Sequence, residues 1–160
     1  PFMSLEINLK KIAQIAIEKQ KENVLFGNFL KTQNSKTVDE IVHQLDREIT
    51  PKIDCLACGN CCRNLRPIAT EEAMRPFVEQ KNMEAYKYLK GFACKNLDCN
   101  SCTIYKDRPE ECRQYPYLHR NQFVDRTPEL LQNYEVCPII FNVLEELKKK
   151  LYWDKENKLK

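Results

Sequence analysis

Four thiols fall within eight residues of this chain: Cys55, Cys58, Cys61 and Cys62, in the run CLACGNCC with Gly59 among them. Two residues between successive cysteines let a turn fold back and aim its sulfurs at one point, which tetrahedral zinc and iron–sulfur clusters both require. Gly59 offers a position without Cβ where the backbone must bend to wrap a metal. Neighbouring side chains diverge in most backbone conformations, so Cys61 and Cys62 are expected to point apart. They would then reach two metal sites side by side, or grip one polynuclear site from two directions. Cys94, Cys99, Cys102, Cys112 and Cys137 complete the nine cysteines and make sense as partners of the cluster.

Other thiol chemistries fit less well. A disulfide framework would leave one of nine cysteines over, and the chain shows no secretory h-region. Cys58-Gly59-Asn60-Cys61 lacks the βαβ setting of a thioredoxin-like redox site. Cys55-x-x-Cys58-x-x-Cys61 copies three-quarters of a bacterial ferredoxin run, and Cys137-Pro138 copies its closing ligand, but the ferredoxin spacing is not kept. Cys58-x-x-Cys61 and Cys99-x-x-Cys102 lie further apart than the halves of a zinc ribbon. The only histidines are His43 and His119, and G-x-G-x-x-G, P-loop, H-E-x-x-H and G-x-S-x-G patterns are all missing. A histidine-based catalytic centre is therefore not expected, and His43 reads as a solvated side chain.

Helices must position these thiols. Leu5, Leu9, Ile12 and Ala16 recur at helical spacing, which predicts an amphipathic helix over 4–30. Residues 31–36 are polar and read as a turn. Thr37-Val38-Asp39-Glu40 matches a capping box, opening a helix with the stripe Val38, Ile41, Val42, Leu45 and Ile49 that Pro51 ends. Thr70 caps a helix to about Phe77, with Pro76 as a kink or break, and a second piece covers Met83 to Leu89. Asp107 as cap and Pro109 at the first position place Cys112 on a short helix. Thr127-Pro128 repeats that signal for a helix to Tyr134, and Ile140, Val143, Leu144, Leu147 and Leu151 define the last one. The Lys148-Lys149-Lys150 run and the tail after Trp153 read as a solvated helix end. Tyr105 is expected in the core. Glu110 and Glu111 read as first-turn acids of the helix that carries Cys112.

At 160 residues, with only three glycines, the chain reads as one mainly α domain with little or no sheet. An N-terminal helical hairpin over 1–50, a cysteine-cluster region over 51–138 and a C-terminal helix and tail over 139–160 would compose it. Its net charge of +3 is too small to indicate nucleic acid, and no long apolar run indicates a membrane. The chain is expected to be cytoplasmic, and Pro1 and Phe2 read as a remnant ahead of a native start at Met3.

Cys55-Leu-Ala-Cys58-Gly-Asn-Cys61-Cys62, followed by Cys102-Thr-Ile-Tyr105-Lys-Asp-Arg108-Pro109-Glu-Glu-Cys112-Arg113-Gln-Tyr115-Pro116, closely resembles the YkgJ-like cysteine-cluster family. That family's pattern is CxxCGxCC, an isolated cysteine, CxIYxxRPxxCRxFP and a late cysteine, with Tyr115 standing where phenylalanine is common. Cys94 fits the isolated position and Cys137 the late one, which leaves Cys99 supernumerary. The resemblance covers about half the chain and implies a zinc- or iron-chelating domain. It implies Cys55, Cys58, Cys61, Cys62, Cys94, Cys102, Cys112 and Cys137 as ligands, divisible into two sets of four.

Two zinc ions or two 4Fe–4S clusters would suit such sets, each site carrying a charge of roughly −2. Arg63, Arg108 and Arg113 stand near ligands and suit donation toward their sulfurs, whereas Arg66 reads as a surface residue. Metal ions are the partners implied. The leading function is metal chelation that assembles the fold. An iron–sulfur methyltransferase or oxidoreductase, similar to the flagellin lysine N-methylases that carry a related cluster, is the alternative. A metal chaperone or sensor is a third.

Overall fold

The computed structural model describes residues 4–67 and 70–154, so the readings of Pro1, Phe2 and Met3 and of the tail from residue 155 lie outside it. In chain order the helices are α1 (Leu9–Glu18), α2 (Gln20–Leu30), α3 (Ser35–Ile49), α4 (Cys55–Cys58), α5 (Asn60–Arg63), α6 (Glu71–Met74), α7 (Met83–Tyr86), α8 (Glu110–Gln114), α9 (Phe123–Gln132) and α10 (Pro138–Lys150). The strands β1 (Leu97–Asp98) and β2 (Ser101–Cys102) pair antiparallel with Leu97 opposite Cys102. The protein is mainly α. No helix among the described residues is long and apolar enough to cross a membrane. Two compact units form, one from Pro1–Ile53 with Tyr115–Lys160 and one from Asp54–Gln114.

The first unit gathers α1, α2, α3, α9 and α10 around a core that includes Ile12, Phe26, Leu30, Val42, Leu45, Ile49, Phe123, Val143, Leu144 and Leu147. The stripe predicted on α3 is buried at Val38, Val42, Leu45 and Ile49, with Ile41 partly so. The single helix expected over 4–30 is instead two. Asn8 accepts from the Lys11 amide and starts α1 at Leu9, and Lys19 leaves helical geometry (φ −95°, ψ 8°) between α1 and α2. The capping box at Thr37 is not used. Asn34, at least as good a cap, accepts from the Thr37 amide at 3.0 Å and opens the helix at Ser35. Thr127 does not open α9 either. The Asp39 carboxylate accepts from the amides of Gln122 and Phe123, both at 2.9 Å, so the helix begins five residues earlier. Pro128 then lies inside it.

Lys148 departs furthest from expectation. It was expected in solvent, but α10 carries it on the same face as Leu144 and Leu147, and it is 5% exposed. Its ammonium donates to Asn23 at 2.7 Å, Glu145 at 2.7 Å and Glu22 at 2.9 Å. The rings of Phe26, Tyr134 and Trp153 stand 5.7 to 5.8 Å away. Opposite charge and ring faces thus replace the water that this cation loses. Burial raises the Glu145 carboxyl, but the charge and hydrogen bond of Lys148, with Lys19 and Tyr134, overcome that and hold it below the usual carboxylate range. The Tyr134 phenol donates to Glu145 at 2.8 Å, and burial followed by that carboxylate pushes it far up.

The second unit has a much smaller core: Met74, Phe77, Val78, Met83 and Phe92, with Leu65, Tyr86, Cys94 and Cys112 packed against it. Thr70 caps α6 as expected, accepting from the Ala73 amide at 3.3 Å. The helix ends at Met74 instead of about Phe77, since Pro76 has no amide to continue it. The piece expected over Met83 to Leu89 stops at Tyr86. Asp107 closes a 3₁₀ turn (Tyr105–Asp107) instead of capping α8. The carbonyl of Pro109 accepts from Cys112 at 3.0 Å and Arg113 at 3.2 Å, so Cys112 still lies on a short helix. Tyr105 is half-buried outside the core, with the Arg108 guanidinium 3.9 Å above its ring.

Candidate metal centre

The cysteine knuckle is built from two single helical turns around one glycine. Asp54 caps the first, accepting from Leu56 at 3.0 Å and Ala57 at 3.2 Å, which sets Cys55 and Cys58 at the two ends of α4. Gly59 then takes the left-handed conformation, φ +58°, and a Cβ there would stand 2.5 Å from the Asn100 carbonyl oxygen. Only glycine fits both the torsion and the space. The backbone re-enters helix as α5, which carries Cys61 and Cys62. Arg63 donates to Asn100 Oδ1 at 2.6 Å, the Cys58 carbonyl at 3.1 Å and Asn60 Oδ1 at 3.2 Å, binding the knuckle to the β1–β2 turn.

Cys61 and Cys62 stand side by side on α5, and a side-chain interaction with Cys61 is the leading cause that lowers the Cys62 thiol. In a helix, successive side chains are rotated by only about 100°, which still allows adjacent sulfurs to meet.

Backbone pairing brings later cysteines to the same place. Leu65 and Phe92 exchange hydrogen bonds at 2.9 and 2.7 Å, and the Cys94 amide donates to the Cys62 carbonyl at 2.8 Å. Asn96 then faces the Cys94 sulfur with two donors, its backbone amide at 3.4 Å and its side-chain amide at 3.6 Å. That side chain also donates to the Pro76 carbonyl at 2.8 Å, and the Asn96 carbonyl accepts from the Thr103 amide at 2.8 Å. The second bond holds β2, and so Cys102, alongside the Cys94 loop. Cys112 reaches the region from α8 and packs with Cys94 on one core. The hydrogen bonds described for Arg108 and Arg113 end on carbonyl oxygens of Tyr105, Lys106 and Arg108, which fixes the loop before α8.

The sulfurs feel one another electrically. The Cys62 thiol is brought down to about 7, first by the side-chain interaction with Cys61 and, against a desolvation penalty, by the Arg63 charge. Cys112 is pushed up to about 11, by loss of water and then by Cys62, Cys94 and Cys102. Cys94 is raised for the same leading reason, with Cys62 and Cys102 adding to it against the Asn96 donors. Cys55 is exposed as a residue, yet desolvation of its sulfur raises it, followed by Cys58, Asp54 and Cys62. A crowd of thiols that resist ionising together is one that a cation stabilises.

Seven of the eight implied ligands thus lie in the second unit: Cys55, Cys58, Cys61, Cys62, Cys94, Cys102 and Cys112. Cys137 belongs to the first unit, where it is 5% exposed within the apolar core. Cys99 sits exposed at the tip of the β1–β2 turn with φ +54°. Among the described residues no three histidine, cysteine, aspartate or glutamate side chains are disposed to hold one ion as they stand. The donor chemistry nevertheless fits a soft or borderline metal, because these are thiols, one of them lowered toward neutral pH. Asn96 and Asn100 are functional neighbours that no ligand spacing marks. Asn96 lies only two residues from Cys94, the one hint available in the sequence.

A family model described as "CxxCxxCC: Putative zinc- or iron-chelating domain" matches residues 54–138, just over half the chain. No curated protein and no solved structure matches the chain.

Proposed function

The chain belongs to the CxxCxxCC family of zinc- or iron-chelating domains, and from that premise we propose that it is a cytoplasmic metal-binding protein whose bound metal organises Asp54–Gln114. The observation that carries this reading is a disproportion inside that unit. Eight cysteines, seven of them implied ligands, share it with a core of five buried apolar residues among the described ones. So small an apolar core supports little folding free energy by itself, and bound metal would supply the remainder. Zinc, which has no redox chemistry, suits a role of this kind, with the thiols as ligands and Arg63 and Asn96 holding the loops that carry them.

Metal analysis and the visible absorption spectrum of protein purified without oxygen test the reading. A colourless protein with stoichiometric zinc is expected. Brown protein containing iron and sulfide would replace zinc by an iron–sulfur centre and favour the redox or methyltransferase alternative. Protein that binds neither metal would overturn chelation.

A further inference from the structure

We propose that Trp153 is a strap over the buried Lys148 ion cluster, one that opens locally while the helices of the first unit stay folded. The chain reverses just past α10. The Tyr152 amide donates to the Lys149 carbonyl at 3.0 Å and the Trp153 amide to the Lys148 carbonyl at 2.9 Å, the bonding pattern of a Schellman helix end. That reversal lays the indole against Phe26 of α2, with ring centroids 5.2 Å apart. It also sets the indole ring 5.8 Å from the ammonium of Lys148 on α10. One side chain beyond the last helix thus covers a junction of two.

Two features oppose closure of the strap. A reversal of this kind puts its turning residue in the left-handed region that favours glycine, yet Tyr152 holds that position at φ +50°. The Tyr152 side chain is 93% exposed, so packing does little to offset the torsion. The Trp153 indole N–H is buried and meets no acceptor among the described residues. Apolar contact with Phe26 and the attraction of the Lys148 charge for the ring hold the strap shut. Opening relieves the torsion and hydrates the indole N–H. It leaves intact the bonds of Lys148 to Asn23 and Glu145, both at 2.7 Å. A segment strained when closed, with two backbone bonds to break, opens ahead of the core beneath it.

Trp153 is the only tryptophan, so the indole N–H of the full chain gives one proton resonance whose exchange with solvent reads the strap. In wild-type protein its protection factor should be lower than those of the Val42 and Leu45 amides in the α3 core. Tyr152→Gly removes the torsional strain and should raise indole protection about fivefold, leaving the α3 amides unchanged. Tyr152→Val, whose branched side chain resists positive φ, should lower it, again without change in α3. Both substitutions fall at an exposed side chain, and a gain of protection in the glycine variant is a result that misfolding cannot produce. Indole protection equal to that of α3 in wild-type protein would show that Trp153 is released only on global unfolding, and would overturn the proposal. Equal indole protection in the glycine and valine variants would overturn it as well.

Discussion

The Cys94 amide donates to the carbonyl of Cys62 at 2.8 Å, extending the pairing that Leu65 and Phe92 begin. The bond links the cysteine knuckle to the second cysteine region without using a sulfur. Apolar packing of Phe92, 5% exposed, holds that pairing in place. Phe92→Ala should therefore cost about 3 to 5 kcal/mol of stability and weaken zinc retention, although it removes no ligand. Competition with a chelator and denaturant unfolding read the two effects. Unchanged zinc affinity would show that the ligands are positioned independently of this pairing.

Gly59→Ala places a Cβ 2.5 Å from a backbone oxygen at a residue with φ +58°. The expected loss is about 1 to 3 kcal/mol, with faster zinc release from the knuckle. Gly91→Ala is the control, since its nearest neighbour would be an ordinary 3.5 Å contact. Equal effects from the two substitutions would contradict the conformational argument.

Lys148→Met should cost about 3 kcal/mol, because Glu22 and Glu145 keep their charges after the buried cation is gone. Its neighbour Lys149, 71% exposed, pairs with Glu146 on the surface, and Lys149→Ala should change stability by less than about 1 kcal/mol. Denaturant midpoints of the two variants separate these outcomes.

The mainly α fold was legible because helical periodicity is local, and the stripe on α3 and the run of α10 were read correctly from it. Each of three misplaced starts traces to an acceptor other than the expected cap. Asn34 competes with Thr37 for a cap, Asp39 caps a helix more than eighty residues away, and Pro109 offers a carbonyl where Asp107 had seemed the cap. Lys148 was misread because a charge run looks solvated until its partners Glu22 and Asn23, far off in the chain, are known. The thiol spacing named the chemistry and the family. It could not reveal Asn96, whose role depends on its tie to Pro76.

Acid should weaken the first unit through Glu145. Its carboxyl is held below the ordinary range in the folded protein, so its contribution is complete above the unfolded value of about 4.3. That contribution is lost as pH falls through the lower folded value. Wild-type protein should thus lose more stability on acidification than Glu145→Gln, measured as the shift in denaturant midpoint. Parallel pH profiles for the two proteins would rule out this source of acid sensitivity.

On the proposed function, thiol-bound metal, more than apolar burial, holds Asp54–Gln114 together. Amide hydrogen exchange of the full chain, with zinc bound and after chelation under reducing conditions, tests it most directly. Among the described residues, nineteen buried side chains form the core of the first unit against five in the second, so protection should survive chelation in α3 and α10. It should collapse across residues 54–114. Exchange in those residues that is the same with and without metal would contradict the account.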